Sequence, residues 1–239
     1  MPKRAAGASP RDKQSPVFKK HKPEKTEAPT YLRPYADAAR THGTGFGTML
    51  WRSPDGQKKR FEVIAQMIDQ DRCICADLGC GRADLLSYLA DTSRIPVGYI
   101  GIDGIPDMSN AGKAVIKDRA IENAQCILAD FVADSTLFTR LTTDHKVNTF
   151  IFSGSLNTLD EPQAKALLDR AFQALPIGGL LIFNFLSNRL PGGDTGDTGP
   201  AHRFDPLALL DWALERTPLV RFRHDYLDGH DATISMKKP

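Results

Sequence analysis

The sequence predicts an α/β fold: a doubly wound, mostly parallel seven-stranded sheet with an antiparallel last strand and an N-terminal helical cap. Three observations carry this. From residue 72 onward, apolar runs of strand length alternate with amphipathic helical segments. Those runs are apolar on both faces, as strands are when helices cover a parallel sheet from both sides. The 239 residues, 41% hydrophobic, suffice for one sizeable core plus extensions.

Residues 1–29 read as a disordered basic tail. Residues 1–28 hold eight Lys/Arg against three Asp/Glu, and only Val17 and Phe18 are bulky and apolar. So little apolar surface cannot offset the entropy of ordering the segment. Residues 30–70 read as a helical cap, in which "KRFEVIAQMI" places Phe61, Ile64, Ala65 and Ile68 on one face. The core follows over 71–239. "CICADLG" is the first strand, "ADLLSYLAD" a helix from about Asp84, and "VGYIGID" (97–103) the second strand. A helix is expected from Pro106 to about Ala120, then strands at 124–130 and 147–154. The clearest helix has Ala164, Leu167, Leu168, Ala171, Phe172 and Leu175 at helical spacing. "GGLLIFNFLS" (178–187) is the fifth strand, a Gly/Asp/Pro-rich loop covers 191–200, and a helix lies around 206–216. "VRFRHDYL" and "DATISMKK", separated by "DGHD", form a closing hairpin at the sheet edge.

In such a sheet, ligands bind beyond the carboxyl ends of the strands, where the strand order reverses. The turn "DLGCGRAD" after the first strand lies there, and Gly79 and Gly81 let backbone approach a ligand closely. Asp103 ends the second strand 24 residues after Gly79, where a carboxylate for ribose hydroxyls belongs. A dinucleotide pyrophosphate would meet the acidic Asp84 at the start of the helix, which weakens that reading. A cationic sulfonium ligand tolerates Asp77 and Asp84.

"ADLGCGRADLL" resembles the first motif of the class I S-adenosylmethionine-dependent methyltransferases, and the likeness runs over roughly residues 31–238. It implies a Rossmann-like methyltransferase domain over 30–239, with S-adenosyl-L-methionine as cofactor. Asp77, Gly79 and Gly81 match the acidic-x-Gly-x-Gly core, with Cys80 between the glycines and Ala83 where a third glycine is frequent. Asp103 and Gly104 match the position that binds the ribose diol, and Asp130 with Phe131 the position that contacts adenine. "SGSLN", beginning at Ser153, corresponds to the wall of the reaction centre. A narrower resemblance is to a little-characterised bacterial branch. It rests on "HGTG", "LWRSPDGQKKRF", "FSGSLN", "FNFLS" and "RHDY", and implies that Gln57 and Arg60 cover the cofactor, the guanidinium meeting its carboxylate.

The residues themselves leave some roles open. Cys80 suits a small space-filler better than a nucleophile. Asn157, Asn184 and His224 are the candidates for catalytic work, each with a structural alternative: a turn cap, a satisfied core amide, a hairpin hydrogen bond. Trp51 is either a packing anchor or a pocket wall. The four cysteines show neither metal-ligand spacing nor a secreted disulfide pattern, so no metal and a reducing, cytoplasmic setting are expected. No apolar run approaches the roughly 18 residues of a membrane span, and the basic N-terminus lacks the apolar stretch of a secretory signal.

The expected reaction is direct SN2 methyl transfer to a small molecule. Outside the tail the chain carries net charge −3, which disfavours a large nucleic-acid substrate except through the tail. The Asn/Asp-Pro-Pro-aromatic run of planar-amine methyltransferases is absent from "SGSLN", as is the cysteine of the cytosine-C5 route. Three rivals remain: an RNA or protein methyltransferase docking through the tail, a non-catalytic cofactor-binding module, and a nicotinamide-dependent oxidoreductase.

Overall fold

The computed structural model describes residues 28–193 and 198–239; the tail expected over 1–29 lies outside it up to residue 27. The cap is two helices, α1 (Arg33–His42) and α2 (Pro54–Ala65), joined through a 3-10 turn at Phe46–Met49. Ser53 begins α2 by accepting the Gly56 amide on its hydroxyl, with Pro54 at the first helical position, where its missing N–H costs nothing.

The sheet then builds as β1 (Ile74–Leu78), β2 (Gly98–Asp103), β3 (Ala124–Leu128), β4 (Thr149–Phe152) and β5 (Leu180–Leu186). Helices α3 (Asp84–Asp91), α4 (Pro106–Asp118), α5 (Leu137–Asp144) and α6 (Glu161–Ala174) alternate with these strands. After β5 come α7 (Pro206–Leu214), β6 (Val220–Arg223) and β7 (Asp231–Lys237). Strand order is β3-β2-β1-β4-β5-β7-β6, with β1 to β5 mutually parallel. The closing hairpin tucks its second strand inward: β7 is antiparallel to both β5 and β6, and β6 takes the edge.

The architecture matches the seven-stranded expectation. One element was not anticipated, α5, a single eight-residue helix carrying three threonines. Its intrinsic propensity is low, and the helix is held by packing: Leu137, Phe138 and Leu141 are buried, with the Phe138 ring edge-on to Phe150 at 5.2 Å.

Why the strands are apolar on both faces is visible in their alternation. Phe150, Phe152, Phe183 and Phe185 join one core with α5, α6 and α7. Ile151 and Ile182, one residue away in each strand, join the opposite core with Ile64 of α2 and Leu86 of α3. The order reverses between β1 and β4, so the carboxyl ends of those two strands open a crevice. The cap lies across it.

Candidate functional site

The crevice begins at the turn after β1. Gly79 has φ +79°, and a Cβ there would stand 2.5 Å from Cβ of Ser155. Only glycine lets the β1 and β4 turns approach this closely. Asp103, at the end of β2, accepts the Gly81 amide on Oδ2 and the Ile105 amide on Oδ1, each at 2.8 Å. Burial raises the Asp103 pKa, and these two amides oppose that rise.

A narrow cleft runs above these turns. Gly79, Gly81, Asp103 and Gly104 form its floor, with Phe131 and Ser153 further along, and Tyr31, Tyr35, Met49 and Trp51 of the cap segment as its roof. Tyr35 is half-buried here, and its hydroxyl is pushed up to about 12, first by desolvation and then by the charge of Asp103. At β4 the backbone turns sharply. Gly154 has φ +71°, and a Cβ there would meet the Trp51 ring at 2.8 Å, so the indole lies flush on the turn. Trp51 is therefore both packing anchor and wall.

Other expected cofactor residues sit around the cleft rather than on its surface. Asp77 is buried beneath the turn, Oδ2 accepting from the Tyr99 hydroxyl at 2.7 Å while Oδ1 has no partner. Burial pushes its carboxyl up to about 7; the Tyr99 hydrogen bond opposes the rise, and Asp103 and Asp84 add to it. The Cys80 thiol faces inward, hydrogen-bonded with Cys126, and that pairing together with burial raises its pKa well above the ordinary thiol value. It is a packed thiol, not a nucleophile. Asp130 accepts the Tyr31 hydroxyl at 2.7 Å and the Val132 and Ala133 amides at 3.0 Å. Gln57 donates to Asp84 at 3.1 Å, tying α2 to the start of α3.

Arg60 lies apart from the cleft. Its Nε and Nη2 both donate to Asp231 of β7, Nη2 at 2.6 Å, and its guanidinium stacks 4.4 Å from the Trp51 ring centroid. The carboxylate it was expected to hold on a cofactor is here an internal one.

A second cavity of about 520 Å³ adjoins the cleft, sharing Tyr35, Met49, Trp51, Gly154 and Thr158 with it. Its walls come from the cap, from the β4 turn and from the segment after β5, and include Arg52, Arg60, Asn157, Arg203 and His230. Asn157 Oδ1 is buried there without a partner. Asn184, fully buried in β5, accepts the Gly154 amide at 2.6 Å and so fixes the turn from behind. His224 is in neither cavity. Its Nε2–H donates to the Gly229 carbonyl at 2.9 Å within the closing hairpin and also lies 3.0 Å from Ser187 Oγ.

Two groups in this second cavity were not anticipated. Arg203 Nη2 donates to His230 Nε2 at 3.1 Å, and His230 Nδ1 lies 2.6 Å from Asp231 Oδ1. A guanidinium can only donate, so Nε2 is the acceptor and the ring proton sits on Nδ1, directed at Asp231. No motif in the sequence marked His230; it is brought in by the pairing of β7 with β5.

Among the described residues no cluster of metal-ligating side chains occurs, and no helix is long and apolar enough to cross a membrane.

No family model matches the chain, and no curated protein does. Solved structures do. An O-methyltransferase family protein from Burkholderia thailandensis superposes with TM-score 0.64 at 13% identity, over 90% of this chain and 65% of that one. An S-adenosylmethionine-dependent methyltransferase from Aquifex aeolicus gives 0.54 at 15%, over 78% and 94%. The O-methyltransferase NcsB1 of neocarzinostatin biosynthesis, solved with S-adenosylmethionine and 2-hydroxy-5-methyl naphthoic acid, gives 0.54 at 18%, over 77% and 56%. The chain thus spans about half to two thirds of the length of several of these proteins. What it shares with them, at these identities, is architecture: the chain has the Rossmann-like fold of the class I S-adenosylmethionine-dependent methyltransferases.

Proposed function

We propose that the protein binds S-adenosyl-L-methionine in the cleft above β1, β2 and β4 and transfers its methyl group to a small-molecule acceptor in the adjoining cavity. The observation that carries this reading is the state of Asp103. A carboxylate offers about four lone-pair sites, and backbone amides take two of them. The remaining capacity faces the cleft and suits the two hydroxyls of a ribose. Ser153 Oγ and Ser155 Oγ, both lining the cleft, are buried without partners, as polar atoms of a ligand site are before the ligand arrives. Phe131 and Val132 supply an apolar wall for a base, next to Asp130. Tyr31 holds Asp130 in the absence of ligand.

When bound, the cofactor supplies a methyl group on a sulfonium, which is its own leaving group; the C–S electron pair stays on sulfur as the acceptor's nucleophile forms the new bond. The chain's task is then placement and exclusion of water. Trp51, Tyr35 and Met49 border both cavities and would line the passage between donor and acceptor. Asn184 holds the Gly154 turn that forms one side of that passage. No base is assigned. His224 is committed within the hairpin, and the His230 Nε2 lone pair is taken up by Arg203.

The test is calorimetric titration with S-adenosylmethionine, S-adenosylhomocysteine and NADH, repeated on Asp103→Ala. Both adenosyl ligands should bind and NADH should not. Loss of the carboxylate should weaken them about ten-fold or more, the equivalent of about 1–3 kcal/mol. Binding of NADH alone would return the cleft to a dinucleotide.

A further inference from the structure

The four cysteines are buried free thiols with no part in the proposed methyl transfer, and two of them meet beside the glycine turn. We propose that Cys80 and Cys126 are an oxidation-sensitive pair, and that a disulfide between them shifts the glycine turn and weakens binding of the methyl donor. This rests on the reading of the cleft as the methyl-donor site.

Cys80 lies between Gly79 and Gly81 in the turn after β1, and Cys126 lies on β3. They meet across β2, where Gly101 stands beside Cys126 in the strand register. A Cβ on Gly101 would be 2.7 Å from Cys80 Sγ and 2.8 Å from Cys126 Sγ. The two sulfurs are therefore no more than 5.5 Å apart, the sum of those distances, and the thiols are hydrogen-bonded to each other. On the other side, a Cβ on Gly112 of α4 would stand 2.6 Å from Cys126 Sγ. Two glycines thus clear the space in which the sulfurs touch. The Cys80 S–H donates to the Cys126 sulfur, which lowers the Cys126 pKa while burial opposes the change. Cys126 is the better nucleophile of the two.

Cys73 and Cys75 are hydrogen-bonded too, but they are two residues apart in one extended run. Their Cα atoms are then about 6.6 Å apart, at the upper end of what a disulfide spans, and their Cβ bonds do not converge. Cys75 is also fully buried, whereas Cys80 and Cys126 each keep 6% of their surface exposed, enough for a small oxidant to reach. With hydrogen peroxide, the Cys126 thiolate attacks one oxygen, the O–O bond breaks, and the leaving hydroxide takes up the proton that Cys126 released. Cys126 becomes a sulfenic acid. The Cys80 sulfur then attacks the Cys126 sulfur, the S–O bond breaks, and the leaving hydroxyl departs as water with the Cys80 proton. Two electrons have passed from the sulfurs to the peroxide. Closing thiol contact to a bond of about 2.05 Å draws Cys80 toward β3. The turn resists, because the Gly79 and Cys80 amides donate to the Ile102 carbonyl at 2.7 and 3.0 Å and the Gly81 amide to Asp103. The displacement falls on Gly79 and Gly81, the floor of the cleft.

The experiment treats the full chain with hydrogen peroxide, alkylates the remaining thiols and maps tryptic peptides by mass spectrometry. Cleavage after Arg72, Arg82, Arg119 and Arg140 places Cys73, Cys75 and Cys80 in peptide 73–82 and Cys126 alone in peptide 120–140. The two peptides should be recovered joined by a disulfide, with fragmentation placing the bond at Cys80. S-Adenosylhomocysteine affinity, measured by calorimetry, should fall about ten-fold or more on oxidation and return with dithiothreitol. Cys126→Ala should bind as the reduced wild type does, before and after peroxide. Cys126→Ser repeats the comparison at nearly unchanged volume, and thermal unfolding of both variants is measured alongside. Peptide 120–140 recovered unlinked, a bond to Cys73 or Cys75, a disulfide that leaves affinity unchanged, or a loss that persists in the Cys126 variants overturns the proposal. Failure of the reduced wild-type protein to bind S-adenosylhomocysteine would instead overturn the donor-site reading, while the peptide map reports on the thiol pair by itself.

Discussion

Asp77 and Asp103 have the same side chain at the ends of adjacent strands, and their surroundings set them apart. Asp103 receives two backbone amides and faces the cleft, whereas Asp77 has one tyrosine hydroxyl and one oxygen with no partner. Burial without sufficient compensation favours the neutral acid. With a folded-state pKa raised from the ordinary 3.8 to about 7, Asp77 binds its proton more tightly in the folded protein. Its stabilising contribution is therefore complete below 3.8 and fades as pH rises through about 7. Asp77→Asn should remove that dependence: the stability difference between variant and wild type, from urea unfolding at successive pH values, should shift in favour of the variant as pH rises across this window. A difference that stays flat would show that Asp77 is already ionised in the fold. Ala83 is the residue-scale counterpart in the backbone. It caps α3 at φ +62°, in the left-handed region, which explains why glycine suits that position of the motif.

At the scale of elements, the cap is joined to the sheet by a buried ion pair. Arg60 of α2 and Asp231 of β7 are 171 residues apart and nearly inaccessible. Removing one partner leaves the other charged and uncompensated, which costs far more than replacing both with apolar groups. Asp231→Asn should therefore lose about 3–5 kcal/mol in urea unfolding, and Arg60→Met with Asp231→Leu should recover most of it. If the single and double variants are equally unstable, the pair does not fasten α2. The same pair is what the sequence did not show when the resemblance placed Arg60 over the cofactor. A basic residue on a helix carries no sign of the partner it will meet, and "GHDA" lies in the last hairpin.

Across the whole molecule, charge is divided along one crevice. Asp103 faces the β1–β2 end, with Asp77 and Asp130 beside it, while Arg52, Arg60 and Arg203 gather at the β5–β7 end. The basic segment at residues 1–27 lies outside the described residues. Deleting it should leave thermal unfolding and S-adenosylhomocysteine affinity unchanged. If the deletion instead abolishes salt-sensitive binding of an RNA or a protein substrate, a macromolecular acceptor is the better reading.

Order along the chain and local chemistry were legible from the sequence. The alternation of buried strands and helices, the glycine turn, and Asp103 at the end of β2 all follow from rules that act within about 30 residues. The cleft floor at Gly79, Gly81, Asp103 and Gly104 accordingly stands where the sequence places it. Three things depended on packing and partners that no pattern in the sequence marks. The short helix α5 is held by Phe150 rather than by its own propensity. Arg60 is claimed by Asp231, and His224 by its own hairpin. The second cavity gathers Arg52, Asn157, Arg203 and His230 from four separate segments. What the sequence by itself determined is the scaffold and the place of the cleft above the glycine turn, because periodicity and turn chemistry are local. Only the tertiary structure decided the adjoining cavity, because side-chain partners there meet through strand pairing and cap docking, which no local pattern encodes.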